Sequence, residues 1–182
     1  IDVEAFQGGI DEAGMRAIRD RHKITAENVV LYVGLLSERK GIDDLITAAA
    51  ELDPNSTHLL IVGDGPQRAE LDALATDIDT PTTFIGNIPN DKLPNYYAMS
   101  TVFVLPTRNE PWGLVQNEAL ACGTPVVTTT ASGAVGDLIF DGENGLVVSP
   151  NAPGELRAAI IDLLDNPDKR EYLVKKGIER SK

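Results

Sequence analysis

The residues of this sequence best placed to do chemistry are Glu110, Gly113 and Glu118. The apolar run 102–105 before them is typical of a buried strand, and the segment 113–122 is typical of a helix. Free N–H groups at the start of such a helix attract an anion, above all a diphosphate. Glu118 would lie ~7 Å along the helix axis from Gly113 and could bind a ribose, and Glu110 could bind the group on the other side of the diphosphate. This spacing therefore describes a nucleotide-sugar site.

Apolar runs that alternate with helical patterns predict the elements that must position these residues. Because continuous apolar strands are separated by helices, the pattern indicates an α/β fold with a Rossmann-like, doubly wound parallel sheet of about six strands. Ligands bind such sheets at the carboxyl ends of the strands, where the strand order reverses. The candidate strands are 29–33, 59–62, 83–85, 102–105, 126–129 and 145–148, and the candidate helices are 12–22, 43–52, 67–75, 93–99, 113–122, 134–139, 155–164 and 170–182.

The composition narrows the possible partners. The chain has 182 residues, 42% of them apolar, and a formal net charge of −12, which argues against nucleic acid or an anionic membrane as a partner. No apolar run approaches the ~20 residues that span a bilayer, so we expect no membrane insertion by this domain. The single cysteine, Cys122, excludes an internal disulfide and fits a reducing compartment such as the cytoplasm. With His22 and His58 it forms no metal-ligand spacing, and we expect no bound metal.

Several sequence blocks, taken in order, resemble the retaining glycosyltransferases of family 4, also called group 1, which have the two-domain GT-B fold. The blocks are the E-x7-E spacing of Glu110 and Glu118 with Gly113-Leu114 inside it, Val33-Gly34-x-Leu36 followed by Lys40-Gly41, and the segments 61–66, 84–89, 123–127 and 141–145. The resemblance covers nearly the whole chain. It implies that residues 1–182 form the C-terminal half of such an enzyme, the half that binds the nucleotide sugar.

The resemblance also implies what lies outside this half. Residues 1–6 match a linker that joins the two domains in the family. Residues 170–182 are interpreted as a helix that stops without a cap, whereas the family usually continues with one more helix that packs on the first domain. The acceptor site and a catalytic histidine belong to the N-terminal acceptor domain, which is absent from this sequence. The chain alone is therefore expected to bind a nucleoside diphosphate sugar without transferring the sugar, and no cofactor is expected.

Two residues are expected to act in catalysis on the strength of the resemblance. Lys40 matches the lysine that contacts the donor phosphates, where a cation would stabilise the departing diphosphate. Glu110 matches the carboxylate that binds a hydroxyl of the transferred sugar. Leu35 departs from the family, which has arginine there as a second phosphate-binding cation. A leucine cannot neutralise a phosphate, which leaves open a donor that is held differently or a degenerate site.

The remaining candidates are expected to bind the donor. Glu118 matches the glutamate that contacts the ribose, Gly113 and Leu114 begin the helix that would meet the diphosphate, and Gly34 would let the backbone approach it closely. Ile88 lies where backbone groups of the family meet the nucleobase, although a loop that packs Ile88 into the core explains it equally well. The segment 132–137 matches the family only partly, and we interpret it as a turn and helix cap. Trp112 is interpreted as a packing aromatic.

Two other classes of protein stay open at this point. Nucleotide-sugar 2-epimerases share the architecture, although the uninterrupted match that includes Lys40-Gly41 disfavours them. A non-enzymatic Rossmann-like module with a degenerate site is the second, and Leu35 is the residue that favours it.

Overall fold

A single six-stranded sheet, all parallel, forms the centre of the computed structural model, which describes residues 3–181. The strands are β1 Asn28–Val33, β2 Thr57–Val62, β3 Thr82–Gly86, β4 Val102–Leu105, β5 Val126–Thr129 and β6 Gly145–Val148. Their order is β3-β2-β1-β4-β5-β6, so the direction of strand order reverses between β1 and β4. The predicted doubly wound α/β sheet is therefore confirmed, and each strand lies within two residues of its predicted bounds.

Helices flank the sheet, and their bounds are α1 Val3–Gly8, α2 Glu12–Arg21, α3 Ile42–Ala49, α4 Arg68–Ala75, α5 Leu93–Ala98, α6 Leu114–Ala121, α7 Pro153–Asp165 and α8 Pro167–Ser181. Helix α3 contacts α4 and α7, and helix α6 contacts α1, α5 and α8. Local chemistry explains several starts: the Asp11 carboxylate accepts from Gly14 N at 2.7 Å ahead of α2, and Pro153 opens α7. None of the described helices is long and apolar enough to cross a membrane.

The core lies between the sheet and its helices, and β1, β2, β4 and β5 are almost fully buried. Two tyrosines are part of this core. Tyr97 packs edge-on against Phe103 with ring centroids 5.6 Å apart, and Tyr32 is completely buried on β1. Because both phenols are buried, their hydroxyls need hydrogen-bond partners, and they find them at the site described below.

The predicted helix 134–139 is wrong, because this segment forms a series of turns. Gly136 adopts a left-handed conformation with φ of 91°, and its N–H donates to Ile139 O at 2.9 Å, which folds the chain back on itself. A glycine in that conformation interrupts the helical hydrogen-bond ladder.

Helices form both ends of the part of the chain that the structure describes. Helix α1 includes residues 3–6 of the expected linker 1–6. The Gln7 side chain of this helix donates to Ala121 O at 3.2 Å. The last helix begins at Pro167, three residues earlier than predicted. Ile1, Asp2 and Lys182, which belong to these two predictions, lie outside the described residues.

Candidate functional site

A cleft opens at the carboxyl edge of the sheet, beside the point where the strand order reverses. It has a volume of about 270 Å³ and brings together three predicted residues, Gly34, Ile88 and Glu118. A wider, open depression of about 570 Å³ adjoins it and shares Leu35 and Asn87 with it. The other residues that line the cleft are Val33, Val62, Gly63, Asn90, Leu93 and Val115. The position is the one that the sheet topology predicts for a ligand.

Glu118 projects from α6 into this cleft and is held by a buried tyrosine. Tyr97 Oη donates to Glu118 Oε2 at 2.8 Å. Burial raises the pKa of Glu118, and the hydrogen bond from Tyr97 offsets part of that effect. Tyr97 therefore holds the carboxyl group of Glu118 in one orientation at a partly buried position and leaves its second oxygen available to a ligand.

Helix α6 begins one residue later than predicted, with Gly113 as its cap residue. Gly113 has φ of 82°, and a Cβ at this position would lie only 2.5 Å from Nε2 of Gln116, so a glycine is required here. The first backbone N–H groups of an α-helix have no partner within the helix, and Gly113 has no side chain to satisfy them. Leu114 follows with its side chain 56% exposed. The start of α6 thus offers free donors to an anion.

Lys40 and Glu110, which are 70 residues apart in sequence, form an ion pair. Lys40 Nζ donates to Glu110 Oε2, and the two side chains are only 11% and 10% exposed. An ammonium carries three N–H donors and a carboxylate accepts several hydrogen bonds. The pair therefore leaves both groups with capacity for a ligand. The structure thus joins the two residues that the sequence predicts to be catalytic.

Backbone contacts between two loops bring this pair together. The loop after β1, which carries Lys40, lies against the loop after β4, which carries Glu110. The Arg39 carbonyl accepts from Arg108 N at 2.8 Å and from Thr107 Oγ1 at 3.1 Å. Gly41 is left-handed, with φ of 66°, and a Cβ there would lie 2.1 Å from Pro106 O. The approach is too close for any residue but glycine at this point.

Arg108 strengthens the same junction. Its guanidinium donates to the carboxylates of Asp43 at 2.7 Å and Asp44 at 2.9 Å, to Glu38 O at 2.9 Å and to Asn151 Oδ1 at 2.6 Å. The hydrogen bond to Asp43 is the main reason that the pKa of Arg108 rises. Arg108 thereby joins its own loop, which follows β4, to the loop that carries Lys40 and to the start of α3.

Gly34 lies where the loops after β1 and β2 pack closely together. A Cβ at Gly63 would lie 1.8 Å from Gly34 O, and Gly34 N donates to Val62 O at 3.0 Å. Tyr32 Oη donates to Leu35 O at 2.9 Å. Burial, and then the charge of Glu110, raise the pKa of Tyr32, so its hydroxyl stays protonated as a donor. Gly34 is therefore both a turn glycine and part of the cleft wall.

Three apolar residues of the site differ in exposure. Ile88 lines the cleft and also packs against the core, and its contact with a nucleobase stays a prediction. Leu35 is 50% exposed beside the cleft, and its side chain is not packed into the core. Trp112 was expected to pack against neighbours, but its side chain is 40% exposed.

Within residues 3–181 no three His, Cys, Asp or Glu side chains lie close enough together to hold a metal ion.

Sequence reasoning missed three residues that shape the site: Tyr97, Arg108 and Gln116. Each acts through partners distant in the chain, such as Glu118 for Tyr97 and Asp43 for Arg108. A buried polar residue next to a motif is the only signal available in the sequence, and it does not identify the partner.

The family model described as "Glycosyl transferases group 1" matches residues 15–180. The chain is 33% identical over 174 residues to the alpha-D-kanosaminyltransferase of Streptomyces kanamyceticus, covering 93% of this chain and 45% of that protein. It is 36% identical over 178 residues to a GDP-mannose-dependent alpha-(1-6)-phosphatidylinositol monomannoside mannosyltransferase of Mycolicibacterium smegmatis, covering 92% and 46%. The chain therefore belongs to the group 1 glycosyltransferases, and it spans about half the length of these curated relatives.

Solved structures agree with this assignment. Sucrose-phosphate synthase from Thermosynechococcus elongatus has a TM-score of 0.85 at 34% identity, covering all of this chain and 46% of that one. The Anabaena protein HepE in complex with UDP-glucose has a TM-score of 0.90 at 25% identity, covering 100% and 50%. The fold is thus that of the C-terminal, Rossmann-like half of GT-B glycosyltransferases.

Replacement of Tyr97 by Phe tests the anchor of Glu118. Without the hydroxyl the pKa of Glu118 should rise further, and the free energy of unfolding at neutral pH should fall by about 0.5–1.5 kcal/mol. A carboxyl group with a raised folded-state pKa stabilises the fold below its unfolded pKa, and this stability is lost as pH rises through the folded value. The loss between pH 4 and 7 should therefore be larger in the variant. Carboxyl NMR titration and urea unfolding measure both quantities.

Tyr96 provides the matched control, because its ring is also buried but lies near His22 rather than Glu118. Tyr96→Phe should leave the pKa of Glu118 unchanged. A titration curve for Glu118 that is the same in Tyr97→Phe and in the unmodified protein would contradict the assignment.

Proposed function

We propose that this chain is the donor-binding domain of a retaining glycosyltransferase, which moves a sugar from a nucleoside diphosphate to an acceptor hydroxyl. The observation that carries the proposal is the placement of Glu118 in the cleft and of the Lys40–Glu110 pair beside the start of α6, where a Cβ at Gly113 would lie 3.1 Å from Glu110 Cγ. Two carboxylates can accept hydrogen bonds from hydroxyls of the ribose and of the sugar. One cation and the free helix amides can bind the diphosphate.

The nucleoside would occupy the cleft. Glu118 would accept a hydrogen bond from a ribose hydroxyl, and Tyr97 would keep its carboxylate in the required orientation. The base would lie towards Ile88, whose side chain forms an apolar wall of the cleft. Gly34 would allow the chain after β1 to approach the ligand without a side chain in between.

The diphosphate would lie at the start of α6, within reach of Lys40. In the reaction, the bond between the anomeric carbon and the diphosphate oxygen breaks, and its electron pair leaves with the diphosphate. The acceptor oxygen bonds to that carbon while its proton passes to the departing diphosphate oxygen, and the configuration of the donor is kept. Negative charge grows on the leaving group, so the ammonium of Lys40 and the N–H groups after Gly113 would stabilise the transition state without a metal ion.

Glu110 would bind the transferred sugar. One of its oxygens is engaged by Lys40, and the other can accept from a sugar hydroxyl. Through this pair, the cation at the phosphates and the carboxylate at the sugar would be fixed relative to one another. Such fixed positions reduce the cost of orienting the donor, which lowers the barrier to transfer.

The comparisons support this proposal and limit its detail. HepE was solved with UDP-glucose, and the mycobacterial relative is named as GDP-mannose-dependent, so base and sugar vary among proteins like this one. We therefore propose a nucleoside diphosphate sugar and no particular base. The acceptor would be bound by a second domain, since the chain spans about half the length of its relatives.

Alanine replacements of the two glutamates should separate the two ends of the donor. Glu118→Ala should weaken binding of UDP and UDP-glucose alike, whereas Glu110→Ala should weaken binding of UDP-glucose more than binding of UDP, with each loss of UDP-glucose affinity worth ~1.5–3 kcal/mol. The reason is that they would lie on opposite sides of the diphosphate. Titration calorimetry, repeated with GDP and GDP-mannose and with a chelator present, measures these affinities.

Glu70→Ala is the matched control, because Glu70 is an exposed glutamate on α4. It should change none of these affinities, and the chelator should have no effect. Equal losses for nucleotide and nucleotide sugar in the Glu110 variant, or binding that disappears with the chelator, would contradict the proposal.

Leu35→Arg should tighten nucleoside diphosphate binding. The side chain is half exposed beside the cleft, so an arginine can be accommodated without burial of its charge. A charge-assisted phosphate contact should contribute ~1–3 kcal/mol at low salt and less as salt rises. The gain should require Lys40, because both cations would bind one diphosphate. Affinity measured in Leu35→Arg, Leu35→Met and Leu35→Arg/Lys40→Ala at two salt concentrations tests this.

Leu35→Met serves as the neutral control and should bind as the unmodified protein does. If Leu35→Arg is folded but shows unchanged affinity, position 35 does not face the phosphates. The assignment of Gly34 and Lys40 to the diphosphate would then have to be withdrawn.

A further inference from the structure

A buried glutamine connects the turn that carries Glu110 to the loop after β5. Gln116 is completely buried on α6. Its Nε2 donates to Ser132 Oγ at 2.8 Å and to Trp112 O at 3.0 Å, with a longer contact to Gly113 O at 3.4 Å. Both protons of the side-chain amide are therefore used in this connection.

Backbone contacts join the same two segments. Glu110 N donates to Ala131 O at 3.1 Å and Gly133 N donates to Glu110 O at 2.8 Å, which makes a short parallel bridge between Glu110 and Ser132. A Cβ at Gly133 would lie 2.0 Å from Pro111 O. The backbone of Glu110 is thus held on the β5 side by its own N–H and C=O. The side chain of Gln116 connects the same two segments a second time.

The remaining atom of the amide indicates that Gln116 contributes little net stability. Gln116 Oε1 is buried and has no hydrogen-bond partner among the described residues. An unpartnered buried acceptor is unfavourable, and it offsets part of what the two good hydrogen bonds contribute. The specific effect of Gln116 is therefore on geometry, because it sets the distance between the turn and the loop.

We propose that Gln116 is a positioning residue for Glu110, which sets sugar recognition separately from nucleotide recognition. By holding Trp112 O and Ser132 Oγ together, it fixes the turn from which the Glu110 side chain reaches Lys40 and the transferred sugar. This inference rests on the proposed function, because Glu110 must be the sugar-binding carboxylate.

The separation from nucleotide recognition follows from the second anchor. Glu118 is oriented by Tyr97, which is itself fixed by contact with Phe103 and by Thr124 Oγ1, which donates to Tyr97 O at 2.7 Å. None of these contacts involves the loop after β5. A change at Gln116 should therefore loosen the sugar end of the site and leave the ribose end in place.

Gln116→Met tests the inference, because methionine has a similar length and lacks the amide. We expect the amide protons of Glu110 and Gly133 to exchange with solvent about tenfold faster, and the Kd for UDP-glucose to rise about 5- to 10-fold while the Kd for UDP rises about twofold or less. Ser132→Ala should give the same pattern, and the double variant should add little to either single change. GDP and GDP-mannose serve as a second pair of probes.

Thr80→Val is the matched control, because it removes a buried hydrogen bond to Ala49 O at the opposite end of the sheet. It should alter neither the exchange of those amides nor the ratio of the two dissociation constants. Equal losses of UDP and UDP-glucose affinity in both Gln116→Met and Ser132→Ala, or unchanged amide exchange, would overturn this inference and leave the proposed function standing. If the unmodified chain binds none of the probes, the proposed function fails, and this inference fails with it.

Discussion

The ion pair between Lys40 and Glu110 is the interaction on which the arrangement of this site depends. Two charges at a nearly buried position are unfavourable unless each neutralises the other, and removal of one partner from such a pair costs about 3–5 kcal/mol. The pair can form only if two loops, from opposite sides of the point where strand order reverses, approach within hydrogen-bond distance. Gly41 and the contacts of the Arg39 carbonyl permit that approach, and Arg108 fixes it.

The rest of the site follows from how its groups are anchored. Glu118 lies on a helix and is oriented by a buried phenol, so it belongs to the rigid part of the fold. Glu110 lies on a turn, which is held by Lys40 on one side and by the β5 loop on the other. The proposed donor, with a ribose and a sugar on either side of its diphosphate, would need both carboxylates at a fixed separation. The strands provide that separation, and the side-chain anchors reduce the motion of each carboxylate.

Much of the fold could be predicted from the sequence, because apolar runs such as 102–105 mark buried parallel strands directly. The predicted helix 134–139 failed because its apolar residues suggested a helical face, whereas Gly136 in a left-handed conformation folds the segment into turns. The candidate site residues were proposed from their spacing and from the family resemblance. Their supporting contacts were not, since the partners of Gln116 and Arg108 depend on loops that meet only in three dimensions. Exposure of Leu35 and Trp112 was equally hidden from the sequence.

The central claim is that a diphosphate binds at the start of α6, with a nucleoside in the cleft beside Glu118. Amide NMR shifts measured during titration of the chain with UDP, GDP and ADP test it most directly, because the free N–H groups report the anion themselves. The account predicts that at least one nucleotide shifts the amides of Leu114 and Val115 most strongly, together with that of Gly34, and that the shifts saturate. The absence of shifts with all three nucleotides at millimolar concentration, or shifts confined to residues away from the carboxyl edge, would contradict it.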